Sequence, residues 1–208
     1  AYGVRFWNSS GNRVFHNNFV NNPSQVSSDG SPNTWDDGAE GNFWDDYHAV
    51  ASVNGIGTTP YIVDAKALGV YGQDNHPLMG RFFEFSATVE GQSYATTVVS
   101  SSAATGFEYD RGADNKTNTM RFNVSATQDT GFCLICIPHA LVGPSYVVTA
   151  DQAPPLSINL VRTNGTHTWV YFTYSNSTSG LMIRPNLPIV ENVPIWSLWW
   201  FWAMIVLA

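Results

Sequence analysis

Two kinds of hydrophobic pattern divide the chain. In residues 1–48, apolar pairs such as Val4/Phe6 and Val14/Phe19 alternate with polar residues over very short runs, and Asn- and Gly-rich corners separate them. Such short strands predict the stacked coils of a parallel β-helix, in which small polar residues at the turns form ladders. Because one or two coils cannot close a core, we expect further coils upstream or a cap.

The second pattern is a longer alternation of apolar and polar positions in residues 81–185, with turn residues between the runs. It is typical of an antiparallel β-sandwich. Asn164-Gly165 lies between two of the runs and predicts a hairpin. The predicted strands cover residues 83–89, 93–100, 119–125, 131–138, 146–149, 157–161 and 168–174.

A change of composition near Gly80, from Asn, Asp and Gly to Val, Thr and Ser, predicts a domain boundary. Residues 1–80 would form the terminal β-helix coils and their cap, and residues 81–185 the sandwich. Residues 186–208 begin with a proline-rich stretch that predicts an extended stalk.

Residues 194–208 carry no charge and contain four of the eight tryptophans. Tryptophan prefers the membrane–water boundary, and the apolar run is unbroken at Ala208 although a spanning helix needs about 20 residues. We interpret the run as the start of a short apolar transmembrane helix that anchors a piece of a longer precursor. The alternative is a buried core helix or a tail docked on a partner.

The net charge of −7 and the presence of only two lysines, Lys66 and Lys116, argue against nucleic acid as a partner. The chain also contains five Asn-X-Ser/Thr sequons, which favour an extracellular location with glycosylation. The alternative is that these residues only shape turns. The candidate glycosylation sites are Asn8, Asn115, Asn123, Asn164 and Asn176.

Two Trp-Asp-Asp segments, at 35–37 and 44–46, form the best acidic cluster. Glycoside hydrolysis uses two carboxyl groups about 5–10 Å apart, and tryptophan rings can stack on sugars. The candidate catalytic residues are Asp36, Asp37, Asp45 and Asp46, and the candidate ligand-binding residues are Trp35 and Trp44. In the alternative, which we favour, the aspartates bond backbone N–H groups in a turn and the tryptophans cover the last coil.

Cys133, Cys136 and His139 are the candidate metal ligands, and His76 with Met79 adds a copper-like pair. The two cysteines lie three apart in a predicted strand, so their side chains would point to opposite faces. Ordinary buried thiols, a disulfide and a metal site all remain open, and we predict no cofactor.

Several motifs in residues 3–80 resemble one family: N-N-F-V-N-N, N-T-W-D-D-G, G-N-F-W-D-D-Y, N-G-I-G-T-T-P-Y-I-V-D-A and D-N-H-P-L-M, in that order. They are similar to the C-terminal end of NosD-like proteins. This resemblance implies a right-handed parallel β-helix with carbohydrate-binding or sugar-hydrolase-type repeats, as in archaeal surface proteins, and by name an association with copper. Residues 49–58 lack the acidic loop of the family, which leaves too few charged oxygens for Ca²⁺.

We therefore expect an all-β chain that forms the membrane-proximal portion of an anchored, extracellular cell-surface protein. Its role would be structural, adhesive or carbohydrate-binding, and a non-enzymatic function is favoured. The expected partners are the membrane, through residues 194–208, and polysaccharide or other surface proteins. The alternatives are a β-helix polysaccharide hydrolase or lyase and a copper-handling surface protein.

Overall fold

The computed structural model describes residues 1–49, 51–64, 69–112, 117–125 and 128–186. This part of the chain is all-β, which confirms the predicted class, and it includes a one-turn helix, α1 (His139–Val142), and a 3-10 turn (Gly69–Gly72). The strands are β1 (Tyr2–Arg5), β2 (Asn18–Phe19), β3 (Ser24–Ser27), β4 (Phe43–Trp44), β5 (Ser52–Val53), β6 (Ile56–Gly57), β7 (Tyr61–Ile62), β8 (Gln73–Asp74), β9 (Arg81–Val89), β10 (Gln92–Ser100), β11 (Ala103–Asp110), β12 (Thr119–Ser125), β13 (Thr130–Pro138), β14 (Tyr146–Ala150), β15 (Ser157–Thr163), β16 (His167–Ser175) and β17 (Gly180–Pro185).

The first four strands form stacked coils with parallel pairing. Strand β1 pairs with β3, and β2 pairs with β4, so that Val4 lies opposite Val26 and Asn18 opposite Phe43. Further parallel bridges continue the stack to Leu78. The interior holds buried Phe19, Trp35 and Trp44, together with half-buried Val4, Phe6, Val14 and Val26.

Asparagine side chains join the coils at their corners, as the polar corners of the sequence predict. The Oδ1 atom of Asn33 accepts hydrogen bonds from the N–H (3.0 Å) and Nδ2 (2.8 Å) of Asn12. One corner further on, Oδ1 of Asn42 accepts from the N–H and Nδ2 of Asn17. Asn42 is fully buried. Its side chain therefore supplies the hydrogen-bond acceptor that the Asn17 groups would otherwise have to find in water.

The remaining long strands form two antiparallel sheets that pack face to face. The five-stranded sheet has the order β15-β16-β13-β10-β9, and the four-stranded sheet has the order β11-β12-β17-β14. The largest core cluster unites buried residues of both sheets, such as Val98, Ile135 and Phe172 from the first and Phe122 and Ile183 from the second. This is the two-layer arrangement expected of a β-sandwich.

Two strands of the sandwich, β11 and β17, are absent from the predicted set. Strand β17 is central in its sheet, between β12 and β14. Its Leu-Met-Ile run shows no apolar–polar alternation, because Met182 on the half-buried face is also apolar. Strand β11 contains Gly106 with φ +61° and an irregular register between Thr105 and Glu108. This irregularity interrupts the period of two that marks a strand.

The predicted hairpin at Asn164 and Gly165 is confirmed, because Thr163 of β15 lies opposite Thr168 of β16. The loop is wider than a two-residue turn. Oδ1 of Asn164 accepts hydrogen bonds from the backbone N–H groups of Thr166 (2.9 Å) and His167 (2.8 Å). The asparagine side chain therefore shapes the turn.

The predicted apolar helix and most of the stalk lie outside the described residues, which end at Asn186. Within the described ranges, no helix is long and apolar enough to span a bilayer. The anchor therefore stays a prediction.

Substituting Asn42 by alanine tests the corner ladder. Its Nδ2 donates to the carbonyl oxygens of Val14 (2.9 Å) and Trp35 (2.8 Å), and the substitution leaves these groups buried without partners. We expect Asn42→Ala to lower the free energy of unfolding by about 2–4 kcal/mol in urea titrations. The exposed-loop control, Asn176→Ala, should change it by less than about 1 kcal/mol; equal effects would contradict the ladder.

Candidate functional site

The two tryptophans proposed to stack on sugars are buried instead. Trp35 and Trp44 are each 1% exposed. The Trp44 ring is stacked between Phe19 (centroid distance 4.2 Å) and Tyr61 (4.4 Å), and its Nε1 donates to Asp74. Neither ring offers a free face in this structure, so the sugar-stacking assignment of Trp35 and Trp44 is wrong and they serve as core of the coil end.

The four candidate carboxylates are engaged with neighbouring chain segments. Oδ2 of Asp36 accepts from the N–H and Nδ2 of Asn75, and Oδ1 of Asp37 accepts from the N–H groups of Ala39 and Glu40. Asp45 binds the N–H of Asn21 and the side chain of Gln25, and Asp46 accepts from the Tyr61 hydroxyl. These contacts fit the turn-and-cap interpretation.

The charge state of Asp36 agrees with a structural role. Burial raises its pKa, but hydrogen bonds from the backbone and side chain of Asn75 and from Gly38 N–H, and the charge of nearby His76, outweigh burial, so that its pKa lies below the ordinary value. A general acid needs the opposite shift. The lowered pKa of Asp36 therefore does not fit the general acid of a glycosidase.

A fifth carboxylate, Asp74, lies at the centre of the coil end and was missed as a candidate. It is fully buried and accepts from Asn42 N–H (2.7 Å), Trp44 Nε1 (2.9 Å) and His76 N–H (3.0 Å). Burial raises its pKa despite these hydrogen bonds. Gly41 makes room for it, because a Cβ there would lie 1.9 Å from Oδ1 of Asp74.

The coil end packs against the outer face of the five-stranded sheet. Leu78 of the coil end forms a second apolar cluster with Phe82, Val99 and Leu134 of the sheet. The side chain of Asn18 pairs with the backbone of Phe82: Nδ2 donates to its oxygen (2.8 Å), and Oδ1 accepts from its N–H (2.7 Å). Phe82 belongs to the edge strand β9, and the Asn18 side chain forms with its backbone the two hydrogen bonds that a neighbouring strand would form.

Charged groups complete this contact, which we call the junction. Glu40, 5% exposed, lies 3.1 Å from Arg162 of β15 and 3.2 Å from Nε2 of His16. The Arg162 guanidinium lies 4.0 Å above the Trp169 ring, at a cation–π distance. The His16 ring stacks on Phe82 with a centroid distance of 4.2 Å. One buried carboxylate thus links the coils to the sandwich.

A cleft of about 240 Å³ opens at the junction. Its walls are mainly apolar and include Ile56, Leu134 and Val161, with Asn54 and His76 among its polar groups. Glu40 and Arg162 also line it, but they bind each other. The cleft therefore offers few free polar groups for a substrate.

The cysteines and His139 do not come together. Both thiols are free and buried, with Cys133 in the core between the sheets and Cys136 beside Glu40 and Arg162 of the junction. Burial raises the pKa of each thiol to about 12. Nε2 of His139 is bonded to the Thr168 hydroxyl (2.8 Å). The disulfide alternative is wrong in this structure, because the strand places the two thiols on opposite faces.

Four of the predicted glycosylation sites are exposed on the surface: Asn8, Asn123, Asn164 and Asn176. The fifth, Asn115, lies outside the described residues. Exposure permits modification, and whether these asparagines carry glycans stays a prediction.

Comparison with known proteins gives one finding. A family model described as "Periplasmic copper-binding protein (NosD)" matches residues 1–49. No curated protein and no solved structure gives a match. The chain is therefore NosD-like over residues 1–49, and the resemblance noted further along, up to residue 80, has no support beyond the motifs themselves.

The residues that the structure describes do not fit a copper site. Among the described residues, no three His, Cys, Asp or Glu side chains are grouped in a way that could hold a metal ion. The protonated thiols lie apart, and Nδ1 of His76 faces Asp36 at 3.3 Å.

Substituting Arg162 by alanine tests the junction. It removes the guanidinium from Glu40 and leaves a buried carboxylate with less compensation. We expect a loss of about 1–3 kcal/mol in the free energy of unfolding, measured by urea titration. The control, Arg121→Ala, removes an exposed arginine of β12, and a loss as large as that of Arg162→Ala would refute the junction contribution.

Proposed function

We propose that this chain is the membrane-proximal portion of an anchored cell-surface protein, with a structural or adhesive role that includes saccharide binding. The main support is the junction. Coils that were hinged freely on the sandwich would transmit little force or orientation, whereas the Asn18–Phe82 pairing and the Glu40–Arg162 ion pair fix the two parts together. The sandwich then acts as a spacer that holds the coils at a set orientation.

An extracytoplasmic location has two supports. The family that matches residues 1–49 is described as periplasmic, and four sequons have exposed asparagines. The described β17 leads directly into the stalk and the uncharged, tryptophan-rich residues 194–208. A chain of this order fits a protein that stands on a membrane by its C-terminal side.

The geometry favours this role over the enzyme alternative. Asp36, Asp37 and Asp45 each accept hydrogen bonds that stabilise turns, and the pKa of Asp36 is lowered, not raised. The geometry of the described residues favours neither a hydrolase, a lyase nor a copper-handling function, and copper enters only through the description of the family that matches residues 1–49.

Liposome flotation tests the anchor. The full chain, reconstituted with phosphatidylcholine vesicles, should float with the lipid and resist extraction at alkaline pH. The double variant Trp200→Arg/Ile205→Arg should remain in the dense fraction, since an arginine in the middle of a membrane helix costs about 2.5–3.5 kcal/mol.

The matched control for flotation is Gln152→Arg/Ser177→Arg, which adds the same charge to exposed loops. It should float as the unmodified chain does. Failure of the unmodified chain to float, or flotation of the Trp200→Arg/Ile205→Arg variant, would contradict membrane anchoring.

A further inference from the structure

One tryptophan of the coils faces solvent. Trp7 is 71% exposed, whereas Trp35 and Trp44 are each 1% exposed. Its neighbour Phe6 packs in the coil interior, so the chain alternates and directs Trp7 outward. Tryptophan is seldom so exposed, because its large apolar surface is costly in water.

One charged side chain lies over this ring, and another is bonded to the backbone that follows it. The guanidinium of Arg5 lies 5.6 Å from the centre of the Trp7 ring and makes no ion pair with any described carboxylate. Directly after the ring, Asn8 turns the chain with φ +48°. The backbone N–H of Asn8 donates to Oδ2 of Asp29 at 2.6 Å.

Asp29 is both exposed and rigid. Its Oδ1 accepts from the Ser31 hydroxyl (2.6 Å) and N–H (3.1 Å). Hydrogen bonds from the Ser31 side chain and from Asn8 N–H lower its pKa to about 2, so the carboxylate stays ionised. Three of its roughly four acceptor positions are used, which leaves one for a ligand. The Arg5 guanidinium therefore lies over the Trp7 ring, and the Asp29 carboxylate is bonded to the backbone of the residue that follows that ring.

We propose that Trp7, Arg5 and Asp29 form a saccharide-binding platform on the side of the first coil. The apolar C–H face of a pyranose ring packs on the indole, as apolar surfaces do on Trp. Its hydroxyl groups donate to Asp29 and accept from Arg5. This inference rests on the saccharide-binding part of the proposed function and moves the site from the buried Trp35 and Trp44 to Trp7.

The sugar can come from two sources, because Asn8 begins a sequon directly after Trp7. A free polysaccharide would bind as a ligand. A glycan attached to Asn8 would fold back on the same ring. Both place the same pyranose chemistry on the platform, and the experiment below separates them.

The first arm uses the full chain, made without glycosylation and kept in a sugar-free zwitterionic detergent. Isothermal titration measures binding of glucose-, mannose- and N-acetylglucosamine-based hexasaccharides. For the hexasaccharide that binds, we expect Trp7→Ala to weaken the affinity at least tenfold and Trp7→Tyr to weaken it less. Asp29→Asn, which keeps an oxygen for Asn8 N–H, should also weaken it. The control, Tyr71→Ala, removes another exposed aromatic ring and should have no effect.

The second arm uses chain made in a glycosylating host, compared with Asn8→Gln from the same host. If the attached glycan covers the platform, acrylamide quenching of the fluorescence of Trp7 should be lower in the glycosylated chain. That difference should vanish when both chains carry Trp7→Ala.

Hexasaccharide binding that depends on Trp7 supports the platform with a free ligand. Shielding of Trp7 by the Asn8 glycan supports it with an attached one. Absence of both effects, or hexasaccharide binding unchanged by Trp7→Ala, overturns the inference. Flotation is independent of either arm, so a failure here leaves the anchored-protein proposal standing, and a failure of flotation leaves the platform standing.

Discussion

The described structure depends on one packing constraint: the stack of coils ends in an apolar surface that something must cover. The outer face of the five-stranded sheet supplies that cover through Phe82, Val99 and Leu134, and Leu78 of the coil end fills the contact. Each surface would be exposed to water without the other, and burial of such apolar area is the dominant favourable term in folding. The junction is therefore a second core of the molecule.

This constraint explains why the carboxylates near the junction resemble a catalytic cluster. The last coil must reverse direction several times, and its buried N–H groups need acceptors. Asp36, Asp37 and Asp74 supply those acceptors, with Asp74 buried at the centre. A turn that needs many short acceptors and a hydrolase that needs paired acids draw on the same residue type, so the sequence alone does not separate them.

Local patterns predicted much of the fold. Short apolar pairs with Asn corners indicated the stacked coils, and alternation indicated seven of the sandwich strands, because both signals arise within a few residues. Asn54-Gly55, with φ +51° and +83°, forms the turn between β5 and β6, and this dipeptide is itself a hairpin signal in the sequence. Strand β17 was not predicted, because the half-buried Met182 between buried Leu181 and Ile183 is also apolar, which removes the apolar–polar alternation that marks a strand.

The functional groups were harder to predict, because they depend on contacts between distant segments. Glu40 and Arg162 are 122 residues apart, and nothing near either residue indicates their pairing. Likewise, the sequence shows four tryptophans before residue 190 without indicating which faces solvent. Only the register of the first coil, which directs Phe6 into the interior, identifies Trp7 as the tryptophan that faces solvent.

Native-state hydrogen exchange tests most directly whether the coils and the sandwich form one cooperative unit. The amide of Leu78 donates to Asn42 O in the coils, and the amide of Ile135 lies in the central strand β13 of the sandwich. The account predicts that both amides exchange through the same global opening, with free energies equal within about 1 kcal/mol. Exchange of the Leu78 amide through an opening several kcal/mol lower would show that the coils unfold alone and would contradict the account.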